Sequence, residues 1–255
     1  MDLGLGGKAA VVTGGSKGIG LAIATALVAE GARVTAGARH FGEVGDGVRA
    51  VEVDLGTAEG PARLIDEAVS AYGGLDLLVN NVGAAHPRPG GFLSITDDDW
   101  LATLTLDLLS TVRSCRAALP HLLKSRGSIV TVVSVNAVLP DPLVMDYSAA
   151  KAALASFSKS LSKEFGPQGL RVNTVSPGPV STDLWLGKDG VAATVGGATG
   201  LAPEEVQKRA AAGSVTGRFS TPDEVATLVL MAASDRIGNV TGADFLIDGG
   251  LVDTL

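Results

Sequence analysis

Three features of the 255-residue chain predict an α/β fold built on a doubly wound parallel sheet. Short β-branched runs alternate with longer Ala- and Leu-rich segments of helical periodicity. Several of the short runs are apolar at every position, as expected of parallel strands covered by helices on both faces. A glycine-rich turn, Thr13-Gly14-Gly15-Ser16-Lys17-Gly18-Ile19-Gly20, joins the first run to the first periodic segment. Repeated alternation of this kind folds with right-handed crossovers, and seven runs imply a seven-stranded sheet.

The predicted strands are Ala9–Thr13, Arg33–Ala36, Val48–Val53, Leu75–Asn80, Ser128–Val133, Leu170–Val175 and Ala243–Ile247. The predicted helices are Ile19–Glu30, Ala58–Ala71, Asp97–Leu123, Asp146–Phe165 and Pro222–Ala233. Two helix starts are sharply marked. Thr221-Pro222-Asp223-Glu224 combines an N-cap Thr, Pro at the first helical position and Glu three residues after the cap. Thr96-Asp97-Asp98-Asp99 is similar, so its triple Asp is read as charge facing a helix dipole rather than as a metal site. Two stretches break the rhythm. Between Arg39 and Asp54 there is little room for a helix, and the Gly-, Ala- and Thr-rich segment 179–213 is long for a connection and reads as a lid or loop. No linker or internal repeat divides residues 1–255, so one domain is expected.

Composition removes several function classes. An apolar content of 46% excludes disorder. Twenty Lys and Arg against 27 Asp and Glu give a net charge of −7 with no basic cluster, which argues against nucleic acid and anionic membrane surfaces. Apolar stretches such as Ser128–Asn136 are interrupted by polar residues, too short for a membrane span. Cys115 is the single cysteine, which leaves no intrachain disulfide or Cys-based metal site. The N-terminal residues show no secretory pattern, and a soluble cytoplasmic protein is expected.

The glycine-rich turn has the spacing G-x-x-x-G-x-G. Close-spaced glycines let the backbone approach a ligand, and amides at a helix N-terminus favour a pyrophosphate. A tight turn without ligand is the plain alternative. Gly14-Gly15-Ser16-Lys17-Gly18 also fits G-x-S-x-G, the nucleophile elbow of hydrolases. Only His40, His86 and His121 are present, however, and none is near the C-terminus where a triad histidine belongs. More specific is Ser134 followed by Tyr147-Ser148-Ala149-Ala150-Lys151. Tyr and Lys at i and i+4 share one helix face. An ammonium beside a phenol favours the phenolate, which brings a group of ordinary pKa near 10 towards working pH. Ser134, at the end of a strand, is placed to donate to an oxygen on which charge develops. Standing alone, a Tyr–Lys pair would be ordinary helix surface.

Together these motifs resemble the short-chain dehydrogenase/reductase family from about Lys8 to Gly250. The resemblance rests on Thr13–Gly20, Asp54 in Val53-Asp54-Leu55, Asn80-Asn81-Val82-Gly83, Ser134, Tyr147 with Lys151, and Pro177-Gly178 followed by Thr182. It implies a Rossmann-like domain binding NAD(P)(H) and hydride transfer between nicotinamide and a ketone or secondary alcohol. A non-catalytic dinucleotide sensor would not need the Ser–Tyr–Lys set. The family assigns Tyr147 as acid/base, Ser134 as carbonyl orienter, and Lys151 as pKa modifier and ribose ligand. Its cofactor positions fall on Gly14, Ser16, Lys17, Gly18, Ile19, Gly20, Arg39, Asp54, Leu55, Asn80, Gly83, Pro177, Gly178, Val180 and Thr182. Its substrate pocket falls on His86, Leu139, Leu184 and Trp185, an apolar set in which His86 serves loop packing or a substrate hydrogen bond. The resemblance also implies a homo-oligomer, dimer or tetramer, packed through the two long helices.

Two positions carry this chain's own signature. Where the family has an Asn holding a relay water, the sequence reads Leu106-Asp107-Leu108. Asp107 can hold that water too, but an ionised carboxylate would partly neutralise Lys151 and raise the pKa of Tyr147; a merely structural Asp is the alternative. The position at which NAD-preferring members carry an acid is Ala38, followed by Arg39. Arg39 and Lys17 would flank a 2′-phosphate, so NADP(H) is expected over NAD(H). The reductases of carrier-bound 3-oxoacyl thioesters have arginines where this chain has Ser128 and Gln168, which favours a free ketone or alcohol. Cys115 reads as a small buried residue rather than a reactive thiol.

Overall fold

In the computed structural model, which describes residues 2–254, the first strand β1 (Ala9–Thr13) is buried along its whole length and apolar up to its final threonine. It lies inside a seven-stranded, all-parallel sheet, paired with a strand on each side. Around it are β2 (Arg33–Ala38), β3 (Val48–Glu52), β4 (Leu77–Asn80), β5 (Ser128–Val132), β6 (Arg171–Pro177) and β7 (Asp244–Ile247), in the order 3-2-1-4-5-6-7. The order reverses between β1 and β4, where Val11 pairs with Leu78 and Val12 with Val79. In a doubly wound sheet this switch point leaves a crevice beyond the carboxyl ends of the strands.

Each face of the sheet is covered by its own apolar layer. One layer packs α1 (Gly18–Ala29) and α9 (Pro222–Ala233) over Val12, Val34, Val79, Val130 and Val175. The other packs α2 (Gly60–Tyr72) with Cys115, Ala118 and Leu122 over Val11, Leu78, Ile129 and Val172. β2 and β3 are joined by irregular chain, as the short spacing predicts.

The long helix expected over 97–123 is not uniform. It begins as α3 (Asp97–Leu104), passes through a π-helical turn at Thr105–Leu109 and continues as α4 (Ser110–Ser125). The extra residue in the π turn shifts the helix phase at the position where Asp107 is buried. α5 (Met145–Phe165) follows the expected bounds within one residue. Segment 179–213, read from sequence as a long connection, is not irregular loop but three short helices, α6 (Asp183–Leu186), α7 (Val191–Thr199) and α8 (Pro203–Ala212). Proline at the first turn of α8 and left-handed Gly200 at the end of α7 supply the start and stop signals.

Candidate active site

The crevice begins at the end of β1. Thr13 accepts hydrogen bonds at Oγ1 from the amides of Asn81 (2.9 Å) and Val82 (3.2 Å), and the Asn81 carboxamide donates to the Thr13 and Gly14 carbonyls at 3.1 Å each. These bonds fasten the end of β4 to the glycine-rich turn. Gly14 adopts φ +69°, a left-handed geometry that favours glycine, and a side chain at Gly20 would overlap the Gly14 carbonyl. Lys17 precedes α1 in extended conformation and gives it no side-chain cap. The first amides of α1 are therefore left for an external acceptor, which is what a pyrophosphate requires. The cradle fits a dinucleotide.

Around that cradle the predicted cofactor residues fall into two groups. Gly14, Ser16, Lys17, Gly18 and Ile19 lie on the turn and are at least partly accessible, while the close-packed Gly20 is buried. Arg39, following β2, and Asp54, following β3, are exposed. Thr182 closes over the turn, its methyl carbon 3.3 Å from where a Gly18 Cβ would stand, and Lys17 lies 3.7 Å from Asp183. Gly178 packs on the Asp248 backbone, with Pro177 ending β6. Asn80, Leu55 and Val180 do not expose their side chains to the crevice. Asn80 is buried among Cys115 Sγ and Thr131 Oγ1, at 3.4 Å each, Leu55 joins the α2 layer, and Val180 joins the α1 layer. Only their main-chain atoms are left to meet a ligand, because each side chain completes a packed layer.

The second part of the site lies beyond β5. Ser134 caps a short 3₁₀ turn: its Oγ accepts the Asn136 amide at 3.1 Å and donates to Asn136 Oδ1 at 3.1 Å. On α5, one turn beyond Tyr147, Lys151 is 3% exposed, and its Nζ donates to the Val132 carbonyl at 3.2 Å. The same Nζ stands 5.4 Å from the centre of the Tyr147 ring and 3.9 Å from Asp107 Oδ1. Asp107, 1% exposed, accepts the Ala84 amide at 3.1 Å. Gly83 covers the pair so closely that a Cβ there would overlap Asp107 Oδ1 and come 3.3 Å from Lys151 Nζ. Ser134, Tyr147, Lys151 and Asp107 are thus brought into one cluster, with Gly83 over it.

Burial dominates the titration of this cluster. It pushes the Asp107 carboxyl up to about 6, against the pull of Lys151 and the Ala84 amide. Burial lowers Lys151 while the Asp107 charge supports it. Tyr147 is raised, first by burial and then by the Asp107 charge, with the Ser134 hydroxyl acting in the opposite direction. An acid therefore stands where it opposes the lysine's effect on the phenol. Cys115 is buried with its thiol pushed up to about 12, the behaviour of an inert core residue.

Of the substrate-pocket residues, His86 and Leu139 are exposed near the site, and Leu184 is exposed on α6. Trp185 packs edge-on against Phe219, ring centres 5.1 Å apart. Sequence reasoning did not single out the side chains of Asn81 and Asn136 or the Ala84 amide. Asn136 had a local signal, an amide two residues after a serine, but the cross-strand role of Asn81 exists only once β1 and β4 are adjacent.

A parallel sheet with its crevice at the switch point, a dinucleotide cradle and a Ser–Tyr–Lys cluster define the class: the chain belongs to the short-chain dehydrogenase/reductase family. It is an NAD(P)-dependent oxidoreductase acting on alcohol and ketone groups. A family model described as Enoyl-(Acyl carrier protein) reductase matches residues 14–252. The chain is 33% identical to 3beta-hydroxysteroid dehydrogenase 1 of Eggerthella lenta, over 97% of this chain and 94% of that one. It is 34% identical to D-threitol dehydrogenase of Mycolicibacterium smegmatis, over 98% and 94%. The structure of L-sorbose reductase from Gluconobacter frateurii, complexed with NADPH and L-sorbose, superposes with a TM-score of 0.91 at 32% identity, covering 100% of both chains. Among the described residues no helix is long and apolar enough to cross a membrane.

Proposed function

We infer that the chain reduces a free ketone, or oxidises the matching secondary alcohol, with Tyr147 moving the proton, Ser134 holding the substrate oxygen and Lys151 setting the local charge. The observation that carries this reading is the convergence of these three side chains with Asp107 beside the end of β5. When bound, the nicotinamide supplies the hydride in reduction and receives it in oxidation. In reduction the Tyr147 O–H donates its proton to the substrate oxygen as the C=O π bond opens and the new C–H bond forms. Ser134 turns its hydroxyl from Asn136 Oδ1 to that oxygen. Lys151 stabilises the resulting phenolate, and Asp107 moderates that effect.

Leu139, Leu184 and Trp185 give the entrance an apolar character, suited to a small apolar substrate. The absence of arginine at Ser128 and Gln168 disfavours a carrier-bound 3-oxoacyl thioester, which meets an acidic carrier through basic residues. Segment 179–213 acts as a lid, supported by the approach of Thr182 and Asp183 to the glycine-rich turn. Exposed Phe92, Leu93, Leu101 and Leu109, with Leu93 96% exposed, support a homo-oligomer packed along the 97–125 helix.

NADP(H) is the preferred cofactor, because Arg39 and Lys17 are exposed cations at the adenosine end and the residue before Arg39 is Ala38 rather than an acid. A carbonyl and alcohol panel followed by nicotinamide absorbance, with both cofactors, tests this reading. A lower KM for NADPH than for NADH is expected. Arg39→Ala raises the NADPH value about tenfold, the loss of one charge-assisted hydrogen bond. A lower KM for NADH in the unmodified enzyme overturns the preference.

A further inference from the structure

The segment between β4 and α3 makes one ionic attachment that the proton-transfer reading does not use. Arg88 sends its guanidinium to two carboxylates on two different helices. One nitrogen lies 2.8 Å from Asp99 Oδ1 in the first turn of α3, and another 2.7 Å from Asp146 Oδ2 in the first turn of α5. The main-chain amide of Arg88 donates to the Leu143 carbonyl at 2.7 Å, so the segment is tied to the approach to α5 as well. Asp146 is 1% exposed and also accepts Thr103 Oγ1 at 2.8 Å. It immediately precedes Tyr147, and two residues before Arg88 stands the exposed His86.

We propose that Arg88 is a positioning residue: through Asp146 and Asp99 it fixes the substrate-side loop 84–91 against the helix turn that presents Tyr147. The proposal rests on the oxidoreductase reading above and extends it to a group that touches neither substrate nor cofactor. A side chain that is mostly buried, shared between two carboxylates and backed by a main-chain bond has few alternative arrangements. That is the rigidity a wall of the substrate pocket requires, since small displacements of positioning groups reduce turnover severely. The clamp has an electrostatic side too. Asp146 acts on Asp107 across the helix pair, and Arg88 neutralises it. The charged and titratable groups facing this region are Asp99 from α3, Asp107 from the π turn, Asp146, Tyr147 and Lys151 from α5, and Arg88 with His86 from the loop.

Three variants test the proposal: Arg88→Met, Asp146→Asn and the double variant Arg88→Met/Asp146→Asn. Removing Arg88 alone leaves the buried Asp146 carboxylate uncompensated, whereas the double variant leaves only Asp99 without its arginine, a partly exposed carboxylate still bonded by Thr96, and so guards against simple unfolding. For Arg88→Met we expect the KM for the carbonyl to rise and kcat/KM to fall, together about tenfold to a hundredfold. Cofactor Kd, read by nucleotide fluorescence, stays within about twofold because the clamp lies away from the cradle. The pH profile of alcohol oxidation moves in Arg88→Met, because Asp146 freed of Arg88 acts on the Asp107 carboxyl, which in turn acts on Tyr147. It returns towards the unmodified profile in the double variant, while the carbonyl KM stays high. If folded Arg88→Met or the folded double variant shows a lower Tm but unchanged carbonyl KM, Arg88 is merely structural and the proposal falls. Unmodified enzyme without nicotinamide-linked turnover contradicts the oxidoreductase reading instead, so the two failures are separable.

Discussion

Asp107 shows how a single residue tunes an otherwise familiar cluster. A carboxyl that burial pushes up to about 6 carries substantial negative charge at neutral pH, 3.9 Å from Lys151. Its folded-state pKa lies above its unfolded value near 4, so burial is tolerated best when the group is protonated. The stability it permits is fully present below pH about 4 and is lost as pH rises through about 6. Asp107→Asn is therefore expected to raise stability at pH 7 and to change it little at pH 4, as measured by denaturant unfolding at both values. The same substitution removes a charge that raises Tyr147, so the ascending limb of the alcohol-oxidation profile moves to lower pH. An unmoved profile means Asp107 is structural. The sequence made the Asp legible as a departure from a family Asn. It did not reveal how closely Gly83 encloses the carboxylate and the lysine, because that contact joins residues far apart in the chain.

At the scale of elements, the best-read features are those encoded within four residues. Thr96 with Asp99 and Thr221 with Glu224 form the reciprocal caps their spacing predicts. Each satisfies two backbone N–H donors at the helix start. Thr221→Ala should cost about 1 kcal/mol and lower Tm by about 2–4 °C, with kcat unchanged at 25 °C, because α9 packs on α1 away from the reacting cluster. Differential scanning calorimetry beside a rate assay checks both halves; an unchanged Tm shows that the cap contributes nothing. The π turn at Thr105–Leu109 was not legible, since nothing in Thr-Leu-Asp-Leu-Leu distinguishes it from an α-helix. Its cause is tertiary: the helix must bury Asp107 against Lys151 while keeping α4 over β4 and β5. The helices inside 179–213 escaped for a different reason. Gly196, Gly197 and Gly200 weaken the local signal, and packing of the short helices on one another supplies what propensity lacks.

Across the whole molecule, strand number and parallel direction were readable because most strands are apolar runs separated by helical segments long enough for a crossover. The spatial order 3-2-1-4-5-6-7 is not carried by any one segment, because right-handed crossovers leave more than one order open. The crevice, and with it the cofactor cradle, is a consequence of that order. Most of the glycine-rich turn opens on it, whereas Asn80, Leu55 and Val180 belong to the layers that support it. The exposed Leu101 and Leu109 give the proposed homo-oligomer a direct test in sedimentation velocity. Dimer or tetramer is expected for the unmodified chain and a smaller species for Leu101→Glu/Leu109→Glu; a monomeric unmodified chain excludes it.

The central claim is that Tyr147 moves the proton in a nicotinamide-linked carbonyl–alcohol reaction. Its most direct test is single-turnover nicotinamide absorbance with a ketone from the panel, comparing the unmodified enzyme with Tyr147→Phe at equal cofactor saturation. The account predicts reduction by the unmodified enzyme and a loss of about a hundredfold or more in Tyr147→Phe, with cofactor Kd preserved. Equal rates in the two proteins would contradict it.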